Sequence, residues 1–228
     1  MKSSPVILFL SLLITGSARA SDWSFGAATG PFVFGHFAER SATIGSGETR
    51  RRVHYALSAE TQPGVRLDFQ RDFNSRISMR FEGSFVDAPL AIKTGSESDR
   101  PSSGAGSVQV AGMRVTAVAL PLILRINRRG TFRPFLGAGP GLVVYQTERR
   151  EQSTLLPLFT GTRRQAGLEL LAGLEWSISR SFSLEGDLRD SITRSPFRAS
   201  DLQTTPSLSI RLPSVHNLHS TFGIRYRF

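Results

Sequence analysis

Histidine and serine occur together in one segment where their types and spacing could do chemistry. His216 and His219 lie three residues apart and Ser220 follows, so a base and a nucleophile are close in sequence. The segment alternates like a β-strand, however, and neighbours in a strand point to opposite faces. His219 and Ser220 therefore cannot act together, and we expect no catalytic residues and no enzymatic activity.

The glycine-rich segment 137–141 is similar to part of a phosphate-binding loop. Such a loop needs the N-terminus of a helix directly after it, whereas Pro140 interrupts the repeat and the strand-like segment 142–145 follows. The chain has no cysteine, and His36 and His54 are isolated from the other histidines. Because no compact set of ligands is visible, we expect no metal and no cofactor.

Residues 1–20 predict an export signal. Lys2 supplies a positive start, residues 6–14 form an apolar run, and an Ala-x-Ala pattern ends the segment. The run is much shorter than the roughly 20 residues that a membrane-spanning helix needs. We therefore expect cleavage before Ser21 and an exported chain of residues 21–228.

The chain is basic, with 28 Lys and Arg against 18 Asp and Glu. A basic balance suits nucleic acid, but an exported protein does not meet cytoplasmic nucleic acid, so we expect no such partner. Guanidinium groups also make two-pronged contacts with phosphate, which suits lipopolysaccharide. A solvated, charged loop explains the same arginines equally well. They are Arg50, Arg51, Arg52, Arg149, Arg150, Arg163 and Arg164.

The clearest structural signal is the C-terminal segment. From Leu218 to Phe228, apolar and polar residues alternate. A period of two is that of a β-strand with two different faces. The same alternation recurs upstream and predicts eight strands, near residues 23–37, 54–72, 76–87, 108–126, 131–147, 165–179, 181–193 and 217–228.

The connections between these strands alternate in length. Short turns are predicted near Asn74, Gly130 and Ser179, and long polar segments connect the other strand ends, at 38–53, 88–107, 148–164 and 194–216. Short turns on one side and long loops on the other are typical of outer-membrane barrels. The segments 23–37 and 108–126 are mixed in phase, so the facing of their side chains stays open.

The alternate polar residues predict the interior. A barrel in lipid must turn its apolar side chains outward, and its interior is then polar. A soluble barrel could not bury so many charges at tolerable cost. The predicted interior charges are Arg66, Asp68, Arg80, Glu82, Arg114, Arg133, Glu169, Glu175, Glu185, Asp187, Arg189, Arg225 and Arg227.

Two motifs carry a family resemblance, the segments 133–141 and 222–228. With them, residues 22–228 resemble the eight-stranded outer-membrane β-barrel family of OmpA and OmpX type. The resemblance implies an all-β fold, an eight-stranded antiparallel up-and-down transmembrane β-barrel, in the outer membrane of a Gram-negative bacterium. It also implies a partner during biogenesis, the barrel-assembly machinery, which would read the alternate C-terminal residues Phe222, Ile224, Tyr226 and Phe228.

Three functions remain open from the sequence. The leading hypothesis is a non-enzymatic envelope protein, with a structural or surface-interaction role through its extracellular loops and with outer-membrane lipid and lipopolysaccharide as partners. The second is a small passive channel, and the third is a lipid-modifying enzyme. Eight strands leave an interior only wide enough for side chains, and its near-balanced charges favour ion pairs over an open pore. The sequence does not determine the oligomeric state.

Overall fold

The structure is a computed structural model that describes residues 22–44, 51–96, 107–127, 130–149, 161–198 and 210–228. The predicted signal segment lies outside the described residues and stays a prediction. No helix in the described part of the chain is long and apolar enough to cross a membrane. The strands are β1 (Trp23–Phe34), β2 (His36–Ile44), β3 (Arg51–Ala59), β4 (Gln62–Asp72), β5 (Ile77–Ser96), β6 (Ser107–Ala119), β7 (Leu122–Arg125), β8 (Phe132–Arg149), β9 (Gly161–Ser177), β10 (Phe182–Arg194), β11 (Ile210–Arg211) and β12 (Ser214–Arg227).

The barrel wall consists of eight long antiparallel strands, and short breaks divide four of them in two, which gives the twelve strands named above. We call each of the eight long strands a stave. The divided staves are β1 with β2, β3 with β4, β6 with β7, and β11 with β12. Each stave pairs antiparallel with the next, and β12 closes the barrel on β1, with Phe25 opposite Tyr226. The predicted eight-stranded, up-and-down antiparallel barrel is thus confirmed, and each of the eight predicted strands is present.

The outer face of the barrel is apolar and the inner face is polar over most of its height. In β12, Phe222 and Ile224 are 61% and 57% exposed, whereas Thr221 and Arg225 are buried. Apolar side chains exposed around the whole circumference would be unfavourable in water, but lipid accepts them. The same surface defines a transmembrane barrel.

Aromatic side chains form a belt around the outer face near the short turns. We call this belt the aromatic girdle; its members are Trp23, Phe69, Phe132, Trp176, Phe182, Tyr226 and Phe228. The rings contact one another, with Phe132 stacked on Trp176 at 5.6 Å between centroids. The guanidinium of Arg71 lies over the Trp23 ring at 5.5 Å. Such belts mark the boundary between membrane and water.

The staves continue well beyond the predicted strands on the long-loop side. β5 extends to Ser96, and β2 and β3 occupy much of the segment 38–53 that was predicted as a loop. Val53 pairs with Ser96 in this upper part of the wall. The prediction of loops across all of 38–53 and 88–107 is therefore wrong. Above the lipid the outer face need not be apolar, so the strand pairing continues without a clear alternation.

Candidate functional site

The structure places twelve of the thirteen predicted interior charges on the inner face. They come from β4, β5, β8, β9, β10 and β12, and they are Arg66, Asp68, Arg80, Glu82, Arg133, Glu169, Glu175, Glu185, Asp187, Arg189, Arg225 and Arg227. Sequence reasoning missed two further members, Asp72 and Arg125, which pair at 3.1 Å. Arg125 ends the short strand β7, in the segment whose phase was mixed, and Asp72 ends β4.

Arg114 is the exception, and the prediction that it faces the interior is wrong. In β6 the neighbouring Met113 and Val115 are buried, so Arg114 between them points outward. Its Nε lies 3.0 Å from Oδ1 of Asp87, and its side chain is 46% exposed. In this part of β6 the inward residues are apolar and the outward neighbours of Arg114 are Gly112 and Thr116, so the expectation that polar residues face inside fails here.

Glu185 is the centre of the interior network. One carboxylate accepts hydrogen bonds from three arginines on three other staves. The Oε1 atom of Glu185 lies 3.0 Å from Nη2 of Arg66 and 2.7 Å from Nη1 of Arg80. The Oε2 atom accepts from Nε of Arg225 at 3.0 Å. The staves of β4, β5, β10 and β12 are therefore joined across the lumen.

Asp68 and Asp187 extend this network on either side of Glu185. Asp68 Oδ1 lies 2.7 Å from Nη2 of Arg225. Asp187 Oδ2 lies 2.5 Å from Nη1 of Arg66, and its Oδ1 accepts from the Thr221 hydroxyl at 2.6 Å. Gly26 leaves the space for Asp68, since a Cβ at that position would lie 2.5 Å from a carboxylate oxygen.

Glu175 organises a second group of ion pairs nearer the short turns. Its Oε2 lies 3.3 Å from Nε of Arg125, and its Oε1 lies 3.3 Å from Nη2 of Arg227. Arg133 approaches the same Oε1 at 3.5 Å and also donates to the Ser177 hydroxyl. Together with the central group, these contacts fill the turn side of the lumen.

Arg189 continues the network toward the long loops. Its guanidinium contacts Glu82 and lies 3.9 Å from Glu169, which accepts a hydrogen bond from Ser191. A void of about 10 Å³ lies among Arg66, Glu82, Glu169, Arg189, His219 and their neighbours. That volume is about what one water molecule needs.

The network balances its charges. Seven arginines face seven carboxylates across the described interior: Arg66, Arg80, Arg125, Arg133, Arg189, Arg225 and Arg227 against Asp68, Asp72, Glu82, Glu169, Glu175, Glu185 and Asp187. Buried charges are tolerable only when they are paired and hydrogen-bonded. The arrangement therefore closes the lumen with side chains.

The long-loop end of the interior is apolar, which the sequence reasoning missed. This apolar cluster consists of Phe32, Phe34, Phe37, Ala38, Leu57, Ala59, Val86, Ala88, Leu90, Val110, Ala111, Met113, Val115, Val143, Tyr145, Phe197 and Val215. The Tyr145 hydroxyl links it to the polar interior through Thr193 at 3.0 Å and Asn217 at 2.9 Å. The signal in the sequence was the mixed phase of 23–37 and 108–126, where inner and outer residues are both apolar.

The loop arginines are only partly described. Arg50 and Arg150 lie outside the described residues. Arg51 begins β3 together with Arg52, and Arg149 ends β8, so these three lie at the long-loop edge of the wall. In β9, Arg164 is exposed, whereas Arg163 donates from Nη1 to the carbonyl of Pro196 at 2.8 Å.

The histidines are less isolated than predicted. His219 is buried and its ring lies 4.0 Å from that of Phe32, while Ser220 points outward, as the strand argument requires. On the outer and upper surfaces, three polar contacts involve the other histidines: His36 with Glu39 at 3.0 Å, His54 with Ser41 at 2.9 Å, and His216 with Asp190 at 2.7 Å.

The contact between Ser41 and His54 joins a nucleophile type to a base type. A hydrolase also needs a group that orients the base and donors for an oxyanion. In the described part of the chain, no carboxylate contacts either side chain of this pair. Residues 22–44, 51–96 and the other described ranges also hold no group of three or more side chains suited to a metal ion.

The C-terminal residues lie on the lipid-facing side. Phe222, Ile224, Tyr226 and Phe228 are between 41% and 61% exposed on the outer face of the last stave. The backbone N–H of Phe228 donates to the Trp23 carbonyl at 3.1 Å, so the terminus pairs with the start of β1. Their role as an assembly signal stays a prediction.

The fold and its charged interior define the class, an eight-stranded transmembrane β-barrel. No protein-family description and no curated protein sequence matches the chain. Among solved structures, the chain is similar to the outer membrane protein OprG from Pseudomonas aeruginosa, with a TM-score of 0.60 at 10% identity, over 91% of this chain and 97% of that one.

Two further solved structures show a looser likeness. Neisserial surface protein A has a TM-score of 0.48 at 12% identity, over 91% of this chain and 98% of that one. The outer membrane protein AlkL has a TM-score of 0.47 at 16% identity, over 94% of each chain. The similarity to OprG establishes the fold, and it confirms the fold expected from the OmpA-type and OmpX-type resemblance.

Proposed function

We propose that the protein is a non-enzymatic barrel of the bacterial outer membrane, with a structural or surface-interaction role through its extracellular loops. The observation that carries the proposal is the filled interior. Charged pairs occupy the turn side and the middle of the lumen, and the apolar cluster occupies the loop side. An interior filled with side chains leaves the outer surface and the loops to make contacts.

The outer membrane is the location that suits such a surface. The exposed apolar band needs lipid, and closed barrels span membranes because every backbone group is paired. The predicted signal over residues 1–20 supports export, and the exposed C-terminal aromatic residues support handling by the barrel-assembly machinery. Lipopolysaccharide is the proposed partner of the loop arginines, and exposed Arg164 is a described residue that suits this contact.

A conductance measurement tests the proposal. The protein, purified from membranes, is inserted into a planar lipid bilayer, and insertion is verified separately by flotation with lipid vesicles. We expect no discrete current steps, because paired side chains fill the lumen and leave a void of only about 10 Å³ beside Arg189. Reproducible single-channel steps from the inserted protein would contradict the proposal and establish a passive channel.

A further inference from the structure

The segment that follows β10 lies against β9 at the long-loop end of the barrel. We call residues Ser195–Arg198 the strap. The ladder between β9 and β10 ends at the pair Gly167 and Thr193, although β9 extends beyond it to Gly161. The strap takes the place of β10 along this last part of β9.

Side chains rather than a β-ladder connect the strap to β9. Arg163 donates from Nη1 to the carbonyl of Pro196 at 2.8 Å, and Gln165 donates from Nε2 to the carbonyl of Ser195 at 3.2 Å. Within the strap, the N–H of Phe197 donates to the Ser195 hydroxyl at 3.1 Å. These side-chain hydrogen bonds hold the strap against β9.

The strap inserts one aromatic ring into the barrel. Phe197 is only 3% exposed and belongs to the apolar cluster, with its ring centroid 5.9 Å from that of Phe37. The Phe37 ring in turn meets Tyr145 edge-on at 5.8 Å. The Phe197 ring therefore fills a space in the apolar cluster, with Phe37 as its aromatic neighbour.

An open groove lies beside the strap. It has a volume of about 660 Å³, and its walls are residues 162–165 of β9 and residues 195–198 of the strap. Three of the lining residues are arginines, at positions 163, 164 and 198. A groove lined by arginines suits an anionic molecule.

We propose that the strap occupies a binding site for a small aromatic carboxylate. When the strap lifts, the ligand's ring replaces that of Phe197, and its carboxylate replaces the strap carbonyls on Arg163 and Gln165. A carboxylate is a stronger acceptor for a guanidinium than a peptide carbonyl. This inference concerns a site at the long-loop end of the barrel and does not rest on the surface-interaction role.

The covalent structure of the strap gives the dimensions of the ligand. The carbonyl carbon of Pro196 and the ring of Phe197 are separated by three atoms, namely the amide nitrogen, Cα and Cβ. The compound 4-phenylbutanoate has three carbons between its ring and its carboxylate carbon, so it reproduces this part of the strap. It is the probe that fits the proposed site.

The strap and the ligand compete for one pocket, which determines the expected affinities. A ligand that binds only the lifted state has an apparent affinity reduced by the fraction of molecules in that state. Phe197→Ala removes the competing ring and leaves the pocket open. Ser195→Ala removes the hydrogen bond that shapes the strap but leaves the ring in place.

Binding of 4-phenylbutanoate is measured by ligand-detected NMR on the full-length, membrane-purified protein in lipid nanodiscs. We expect Phe197→Ala to bind at least tenfold more tightly than the native protein, and Ser195→Ala to shift in the same direction. Val33→Ala, on the outer face, is the matched control for partitioning into lipid, and it should bind like the native protein. When Arg163→Ala is added to the Phe197→Ala variant, the affinity for 4-phenylbutanoate should fall to the affinity for the uncharged alcohol 4-phenylbutan-1-ol.

Equal binding by the native protein and folded Phe197→Ala would overturn the proposal. So would equal affinity of Phe197→Ala for the acid and for 4-phenylbutan-1-ol, because the carboxylate would then have no partner. If circular dichroism shows that Phe197→Ala does not fold, Ser195→Ala replaces it in both tests. Its affinity for 4-phenylbutanoate is then compared with that of the native protein and with its own affinity for 4-phenylbutan-1-ol.

Discussion

At the scale of single residues, the carboxylate of Glu185 joins arginines from three other staves. It accepts hydrogen bonds from guanidinium groups that β4, β5 and β12 contribute, and all of these side chains are at most 4% exposed. Removal of Glu185 leaves its three arginines buried with one carboxylate too few, and an uncompensated buried charge costs more than the pair itself contributed.

Glu185→Ala should therefore destabilise the barrel by about 3–5 kcal/mol, the usual cost of breaking a buried charge pair. The measurement is urea unfolding in lipid vesicles, followed by tryptophan fluorescence. Arg114→Ala is the control, since it breaks an exposed pair with Asp87 and should cost less than about 1 kcal/mol. Equal losses for the two variants would show that the Glu185 group does not contribute as the contacts indicate.

At the scale of the strands, lipid contact explains what the sequence could predict. Where one face meets lipid and the other meets charges, as in β12, alternation reveals both the strand and its facing. In β6 the interior is apolar and polar Arg114 faces outward, so the rule that polar residues face inside assigned Arg114 to the wrong face. The partners of Glu185 could not be predicted, because they depend on the register between staves, which no local pattern encodes.

Leu174→Arg tests the facing of β9. Leu174 points outward and is 44% exposed within the apolar band, one outward position from Trp176 of the aromatic girdle, so a charge there should cost more than at the interface, up to about 2–4 kcal/mol. Ser214→Arg is the matched control at the long-loop end of β12, where a charge near the interface should cost about 0–1 kcal/mol. Unfolding in vesicles of one lipid composition compares the two. A neutral Leu174→Arg would mean that this face does not meet lipid.

At the scale of the whole molecule, the two rims of the barrel differ. The aromatic girdle surrounds the outer face on the short-turn side, whereas outward polar contacts occur on the long-loop side, in the ion pair of Asp87 with Arg114 and in the hydrogen bond of Asp190 with His216. Charged groups at a membrane boundary suit a surface of phosphates and cations, and aromatic rings suit phospholipid headgroups. The difference between the rims predicts that the long-loop end faces the outside of the cell.

Thiol labelling in intact cells tests this orientation without interference, since the chain has no cysteine. We expect a membrane-impermeant maleimide to label Arg211→Cys, which is exposed at the long-loop end, in intact cells. Ser75→Cys, exposed in a short turn, should react only after the outer membrane has been permeabilised. The reverse pattern would invert the topology.

The seam between β1 and β12 also has a consequence for folding kinetics. It joins residues at opposite ends of the chain, such as Phe25 with Tyr226, and Arg225 reaches back to the hydroxyl of Ser24. Contacts so distant in sequence form slowly, because the chain pays the entropy of closing a long loop before it gains them. The strand β1 completes its backbone hydrogen bonding only after β12 has formed and reached it. Until that moment the acidic and basic side chains of the future lumen are still hydrated, which helps the unfolded chain stay soluble on its way to the membrane.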